Sequence, residues 1–139
     1  MTEIKNMKYL LTILLLFSFK LFGQNGNCTF YSDTTGQKIY TSVSKEAKPI
    51  ITDNLLKYFS ENIKYDSLNL YEIEETKTVI KLLISDKGEI LEMKIIRKGI
   101  KGIAEQMFEI TKKLKWEPAK CEEVKVYSEV TIPFLICLN

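Results

Sequence analysis

Two stretches of alternating apolar and polar residues predict a pair of neighbouring β-strands in the second half of the chain. The apolar positions share one face of each strand: Ile80, Leu82 and Ile84 in the first, and Leu91, Met93 and Ile95 in the second. Residues 85–88 (Ser-Asp-Lys-Gly) separate them, with glycine where a type I turn followed by a left-handed residue needs it. The pattern predicts a β-hairpin.

Apolar residues at helical spacing predict two amphipathic helices. Pro49 suits the first turn of a helix that extends to about Asn62 and carries an apolar stripe: Ile51, Leu55, Tyr58, Phe59 and Ile63. The second helix has apolar residues spaced four, three and four apart: Ile103, Met107, Ile110 and Leu114. It must end before Pro118, because the residue preceding a proline avoids the helical region. Both stripes are interpreted as core packing.

The longest alternation in the chain predicts a final amphipathic strand. Its apolar positions are Val124, Val126, Val130, Ile132, Phe134 and Ile136, and only Ser128 interrupts this face. Pro133 has no N–H group to donate to a neighbouring strand. The strand therefore has to present this nitrogen to an open side or to a bulge.

The N-terminal segment is typical of a secretory signal peptide. Lys5 and Lys8 precede an apolar run over residues 9–19, which is shorter than the roughly 20 residues of a membrane-spanning helix. We expect residues 1–24 to be removed after Gln24 and the protein to be periplasmic or secreted. The alternative is an uncleaved anchor in the inner membrane.

The rest of the chain has room for one domain. Cleavage after Gln24 would leave 115 of the 139 residues. Residues 25–48 are polar and without a clear period, and they predict a leader with at most one short strand around 38–43. Residues 49–139 contain all the other predicted elements and are assigned to the domain.

Charge argues against two classes of partner. The signal segment carries Lys5, Lys8, Lys20 and Glu3, which account for the net charge of +2 of the whole chain. The remaining residues are therefore near neutral, with acidic and basic side chains interleaved. Such a chain offers no footprint for nucleic acid and no polybasic patch for lipid. Membrane contact is expected only if the N-terminal segment is not cleaved.

The cysteines suggest one structural disulfide. Cys28, Cys121 and Cys137 lack the C-x-x-C spacing of redox or zinc motifs. Cys121 and Cys137 flank one predicted strand, which would hold them about 50 Å apart. Any bridge is therefore expected to use Cys28. A lipid anchor at Cys28 is the alternative, although the residues before it do not form a lipobox.

The order of these elements resembles the C-terminal domain of TonB-type energy transducers. The resemblance covers about residues 50–134 and is most specific at Asp86-x-Gly88 and Trp116-x-Pro118. It implies an α+β fold, with an antiparallel three-stranded sheet, two helices, and Trp116 wedged between helix and sheet. The chain departs from the family at Asp66, where proline is usual, and at Glu122-Glu123, where glycine is common.

The resemblance also implies a function in protein binding, by strand pairing with a peptide of an outer-membrane receptor in energy-dependent transport. The implied site is the edge of the last strand: Val124, Lys125, Val126, Tyr127, Ser128, Glu129, Val130 and Thr131. Alternatively, this edge is protected by Pro133 and charges against pairing. With no convincing permanent anchor and only residues 25–48 ahead of the domain, the chain is not expected to be a complete transducer. A secreted binding or inhibitory protein on the same scaffold is the other hypothesis.

Catalysis is not expected. The chain has no histidine to act as a base, no metal-ligand cluster at a recognised spacing, and no nucleophile in a recognisable elbow. No metal or cofactor is therefore predicted.

Overall fold

A computed structural model of the protein describes residues 27–68 and 76–137. The predicted signal peptide lies outside these residues. The described chain has an α+β fold with two α-helices, α1 (Leu55–Asn62) and α2 (Ile103–Lys112), as expected. Its strands are β1 (Thr29–Ser32), β2 (Lys38–Ser42), β3 (Lys48–Pro49), β4 (Lys77–Ile84), β5 (Ile90–Arg97), β6 (Trp116–Glu117), β7 (Ala119–Cys121) and β8 (Val124–Leu135).

The prediction of a three-stranded antiparallel sheet is wrong. The main sheet has six strands in the order β1-β2-β8-β4-β5, with β7 also paired to β8. It is mixed, because β2 runs parallel to β8 while the other neighbours are antiparallel. β3 and β6 form a separate two-stranded sheet.

The additional strands come largely from the segment expected to be a leader. The short strand predicted around residues 38–43 is present as β2, and β1 pairs with it antiparallel. Pro49 lies in β3 and does not start a helix. The helix begins instead after Asn54, whose side-chain oxygen accepts a hydrogen bond from the backbone N–H of Lys57 at 2.8 Å.

The predicted hairpin is confirmed, including the turn. Gly88 adopts a φ of +82°, and its N–H donates to the carbonyl of Ser85 at 3.0 Å. The hydroxyl of Ser85 is buried and accepts hydrogen bonds from the N–H groups of Lys87 and Glu89. Ser85 therefore provides hydrogen-bond acceptors for the N–H groups of Lys87, Gly88 and Glu89.

Two bulges in β5 change the predicted face of one residue. Ile84 pairs with Ile90 while Leu83 pairs with Glu92, so Leu91 is the extra residue of a bulge. Leu91 is consequently 53 % exposed, and the prediction that it shares the buried face with Met93 and Ile95 is wrong. Ile90 is instead the residue that shares the partly buried face of β5 with Met93 and Ile95. Ile96 is the extra residue of the second bulge.

The core lies between one face of the sheet and the two helices. Trp116 is 5 % exposed and belongs to this core, as the resemblance implied. The other fully buried large apolar side chains come from the two helices and from β4: Phe59, Ile80, Leu82, Ile84, Ile103 and Met107. Phe134 on β8 packs edge to face against Phe59 of α1.

A disulfide joins Cys28 to Cys121, with 6.1 Å between their Cα atoms. This confirms the prediction that a bridge would use Cys28. It ties the residue before β1 to the end of β7, and thus holds the N-terminal strands to the C-terminal hairpin. Cys137 is free and exposed.

Candidate functional site: strand edges and an apolar groove

The predicted edge, residues 124–131, lies inside the sheet and not along its border. Residues 124–126 pair with β7 and Tyr127 pairs with Ile39 of β2. Residues 129–131 pair with β4, and Ser128 pairs with both β2 and β4. Because both sides of Ser128 are occupied, a partner strand covering the whole range would have to displace one of these strands.

The side chains of this range are divided between the core and the opposite face of the sheet. Val126 and Ser128 are buried, whereas Val124 and Lys125 are exposed. Glu129 has two partners within the protein. Its carboxylate accepts a hydrogen bond from the Tyr31 hydroxyl at 2.9 Å and lies 3.2 Å from Lys81 Nζ. The hydrogen bond to Glu129 raises the pKa of Tyr31.

A polar cleft remains where β2 and β8 separate. β2 pairs with β8 only through Ile39 and Tyr40. Beyond this point a cleft of about 320 Å³ opens, lined on the β8 side by residues 128–131. The buried Ser128 hydroxyl has no hydrogen-bond partner among the described residues. This cleft is an open space beside the predicted edge.

β5 is the longer of the two border strands of the main sheet in the described part of the chain. Among the described residues, β5 pairs with β4 and with no other strand. It is eight residues long, whereas β1, at the opposite border, has four. Since no strand of the described chain pairs with the outer side of β5, N–H and C=O groups on that side can pair with an added strand.

An open groove of about 780 Å³ runs beside the first half of β5. One wall consists of the hairpin turn and residues 87–93, and the other is formed by the C-terminal half of α2 and the residues that follow it. Its apolar lining comes from four parts of the chain: Ile50, Ile90, Leu91, Met93, Phe108, Leu114 and Trp116. Ile50 is 63 % exposed, so the groove presents apolar surface directly to solvent.

Lysines dominate the charges of the groove. It is lined by Lys87, Lys112 and Lys115 and by Glu89 and Glu92. Lys112 binds Glu109 at 2.8 Å, and Glu92 binds Lys94 at 2.9 Å. Within residues 27–68 and 76–137, Lys87 and Lys115 make no ion pair. The ammonium groups of these two lysines can therefore interact with a negatively charged group of a ligand.

Sequence reasoning missed the β5 edge, although a signal for it exists. The adjacent apolar pairs Ile90-Leu91 and Ile95-Ile96 break the alternation at both ends of the strand. Such pairs mark bulges, which occur mainly at sheet borders. The lining from Ile50, Phe108 and Lys115 had no comparable signal, because tertiary packing brings these residues together.

Two features are absent from the described residues, a cluster of metal-ligating side chains and a membrane-spanning helix. No group of three or more Cys, Asp or Glu side chains in this part of the chain could hold a metal ion. None of the described helices has the length and apolar character needed to cross a bilayer.

No protein-family model, curated protein or solved structure matches the chain.

Proposed function

We propose that this protein is a protein-interaction module that binds an extended segment of a partner by strand addition to β5. The observation that carries the proposal is that β5, which has only β4 as a strand neighbour among the described residues, lies beside a groove lined by apolar side chains. Backbone hydrogen bonds along β5 would supply affinity, and the groove would accept side chains of the added strand.

The β5 edge suits this role better than the predicted β8 edge. Ser128 is paired on both sides, so β8 offers only interrupted stretches of free backbone. Among the described residues, β5 has a strand neighbour on one side only. Its bulge also turns Leu91 outward, where it is 53 % exposed beside the groove. A bulge that directs an apolar side chain toward a binding groove supports recognition at this border.

We propose the class of partner from the resemblance to the C-terminal domain of TonB-type energy transducers. A TonB-like module in the periplasm would bind a segment of an outer-membrane receptor. A secreted binding or inhibitory protein would use the same edge for a different partner. The two hypotheses share the mode of binding, and the partner's sequence separates them.

The mode of binding can be tested with a phage-displayed library of random 12-residue peptides, using the protein of residues 25–139 with its disulfide intact. Selected peptides are synthesised, and affinity is followed by the fluorescence of Trp116, the single tryptophan, which lines the groove. Two forms of each peptide are N-methylated at alternate residues. Strand addition predicts that only one of the two forms loses binding, because successive N–H groups point to opposite sides of a strand.

Two matched substitutions locate the binding edge. Leu91→Asp should weaken binding about tenfold or more, since it puts a charge into the apolar contact. Val124→Asp is the control, because Val124 is also more than half exposed, at 64 % against 53 % for Leu91, but lies on β8. Loss of binding in Val124→Asp with retention in Leu91→Asp would move the site to β8. Equal loss in both N-methylated forms would exclude strand addition.

A further inference from the structure

We propose that the segment bound at β5 is an extended peptide that combines apolar side chains with at least one acidic residue. This inference rests on the proposed function and adds the chemistry of the partner. It follows from two properties of the groove that are independent of the backbone edge: its exposed apolar lining and its unpaired lysines.

The apolar lining of the groove favours apolar side chains in the peptide. Ile50 and Leu91 are both more than half exposed, and they lie on the two walls of the same groove. Met93, Phe108 and Leu114 are partly buried and line the same groove. A side chain entering this space would remove apolar surface of both walls from water.

Trp116 also lines the groove. It is almost completely buried, and its Nε1–H group has no hydrogen-bond partner among the described residues. A buried N–H group without a partner favours a hydrogen-bond acceptor, so the preference for an apolar anchor comes from the aliphatic side chains and Phe108 and not from the indole.

The lysines of the groove that have no ion pair among the described residues favour an acidic residue in the peptide. Glu109 neutralises Lys112, and Lys94 neutralises Glu92. Lys87 and Lys115 have no such partner within the described chain, and both line the groove. Glu89 is the one acidic lining residue for which the described part of the chain shows no ion pair. The uncompensated charge is therefore positive, and it complements a carboxylate on the peptide.

Charge complementarity at a solvent-exposed rim has a modest effect on affinity. Each exposed ion pair changes affinity by a few-fold, so reversing both lysines should weaken an acidic peptide by about tenfold. The effect should diminish at high salt because the rim is open to solvent. It should not depend on the identity of the apolar anchor.

The experiment uses three forms of the protein against the same random 12-residue library. Wild type should select peptides enriched in Asp and Glu, and Lys87→Glu/Lys115→Glu should select peptides enriched in Lys and Arg. Lys77→Glu/Lys101→Glu is the matched control, since it changes the net charge equally at exposed positions outside the groove. It should select the same acidic peptides as wild type.

The outcomes separate this inference from the proposed function. If selected peptides pass the N-methylation and Leu91→Asp tests but show no acidic preference, the inference is overturned and strand addition at β5 stands. If the control double variant loses the preference as well, net charge and not the groove is responsible, and the inference is again overturned. If no peptide binds at β5, both proposals fail.

A second copy of the chain is the competing occupant of the β5 edge. Sedimentation of wild type and of Leu91→Asp distinguishes the two. A dimer in wild type that dissociates in Leu91→Asp would assign the edge to self-association and overturn the inference. A monomer in both supports a peptide from another protein.

Discussion

Gly88 of the hairpin turn lies directly against the backbone carbonyl group of Trp116. A Cβ atom at Gly88 would collide with the Trp116 carbonyl oxygen and lie 3.1 Å from its carbonyl carbon. The two most specific motifs of the sequence, Asp86-x-Gly88 and Trp116-x-Pro118, are thus in contact. Both residues also line the groove. A side chain at position 88 is excluded by packing as well as by backbone conformation.

Gly88→Ala should therefore destabilise the protein by about 2–4 kcal/mol, through a positive φ and a collision with backbone. Gly36→Ala is the matched control. Gly36 has a similar φ of +84° but nothing within 4 Å of an added Cβ, so the cost should be about 1–2 kcal/mol from backbone strain alone. Urea unfolding of both variants provides the comparison. Equal losses would show that the contact with Trp116 relaxes without cost.

Local patterns in the sequence were enough to predict the part of the fold around this contact. The alternation in β4, the glycine at the end of the turn, and the four-three-four spacing in α2 each depend on residues close together in the chain. The structure places these elements where the pattern predicted. Burial of Trp116 followed from the resemblance and was also correct.

The N-terminal strands and the binding edge could not be predicted in this way. β1 is exposed along its length and β2 buries only Ile39, so their sequences carry almost no alternation. Their positions depend on pairing over long sequence separations, such as that of Ile39 with Tyr127. For the same reason the long alternation of β8 showed a strand but did not show that neighbours would occupy both sides of Ser128.

The turn between β7 and β8 offers a stabilising substitution. Glu122 and Glu123 have φ values of 49° and 68°, a left-handed conformation that asparagine and glycine adopt with less strain. Glu122→Asn/Glu123→Gly should increase the free energy of unfolding by about 1 kcal/mol. Urea unfolding is the measurement. Glu122→Ala/Glu123→Ala removes the same charges but keeps the backbone strain. A similar increase in the free energy of unfolding of that variant would show that the gain comes from removing charge repulsion.

Removal of the disulfide should be the most destabilising single change outside the core. Cys28 and Cys121 are 93 residues apart, so the bridge closes a long loop and should contribute about 3–5 kcal/mol. Cys28→Ser tests this by chemical unfolding. Cys137→Ser should have little effect because Cys137 is free and exposed. Mass mapping of a non-reduced digest should find Cys28 joined to Cys121, and a bridge to Cys137 would contradict the structure.

An ion-paired glutamate links the N-terminal segment to β6 and should make stability depend on pH. Glu117 lies 2.8 Å from Lys45 Nζ and 3.5 Å from Lys48 Nζ. Its hydrogen bond with Lys45, reinforced by the charge of that lysine, lowers the pKa of Glu117 below its ordinary value of 4.5. The same pair raises the pKa of Lys45.

The sign of the effect follows from the lowered pKa of Glu117. The folded state binds this proton less readily than the unfolded state, so the stabilisation is fully present above about pH 4.5 and is lost as the pH falls through the lower folded-state pKa. Glu117→Gln should therefore reduce stability slightly at pH 7 and have little effect near pH 3. Urea midpoints measured from pH 3 to 7 test this. In a Lys45→Met background the pH dependence of the substitution should largely disappear, and its persistence there would show that Lys45 is not the cause.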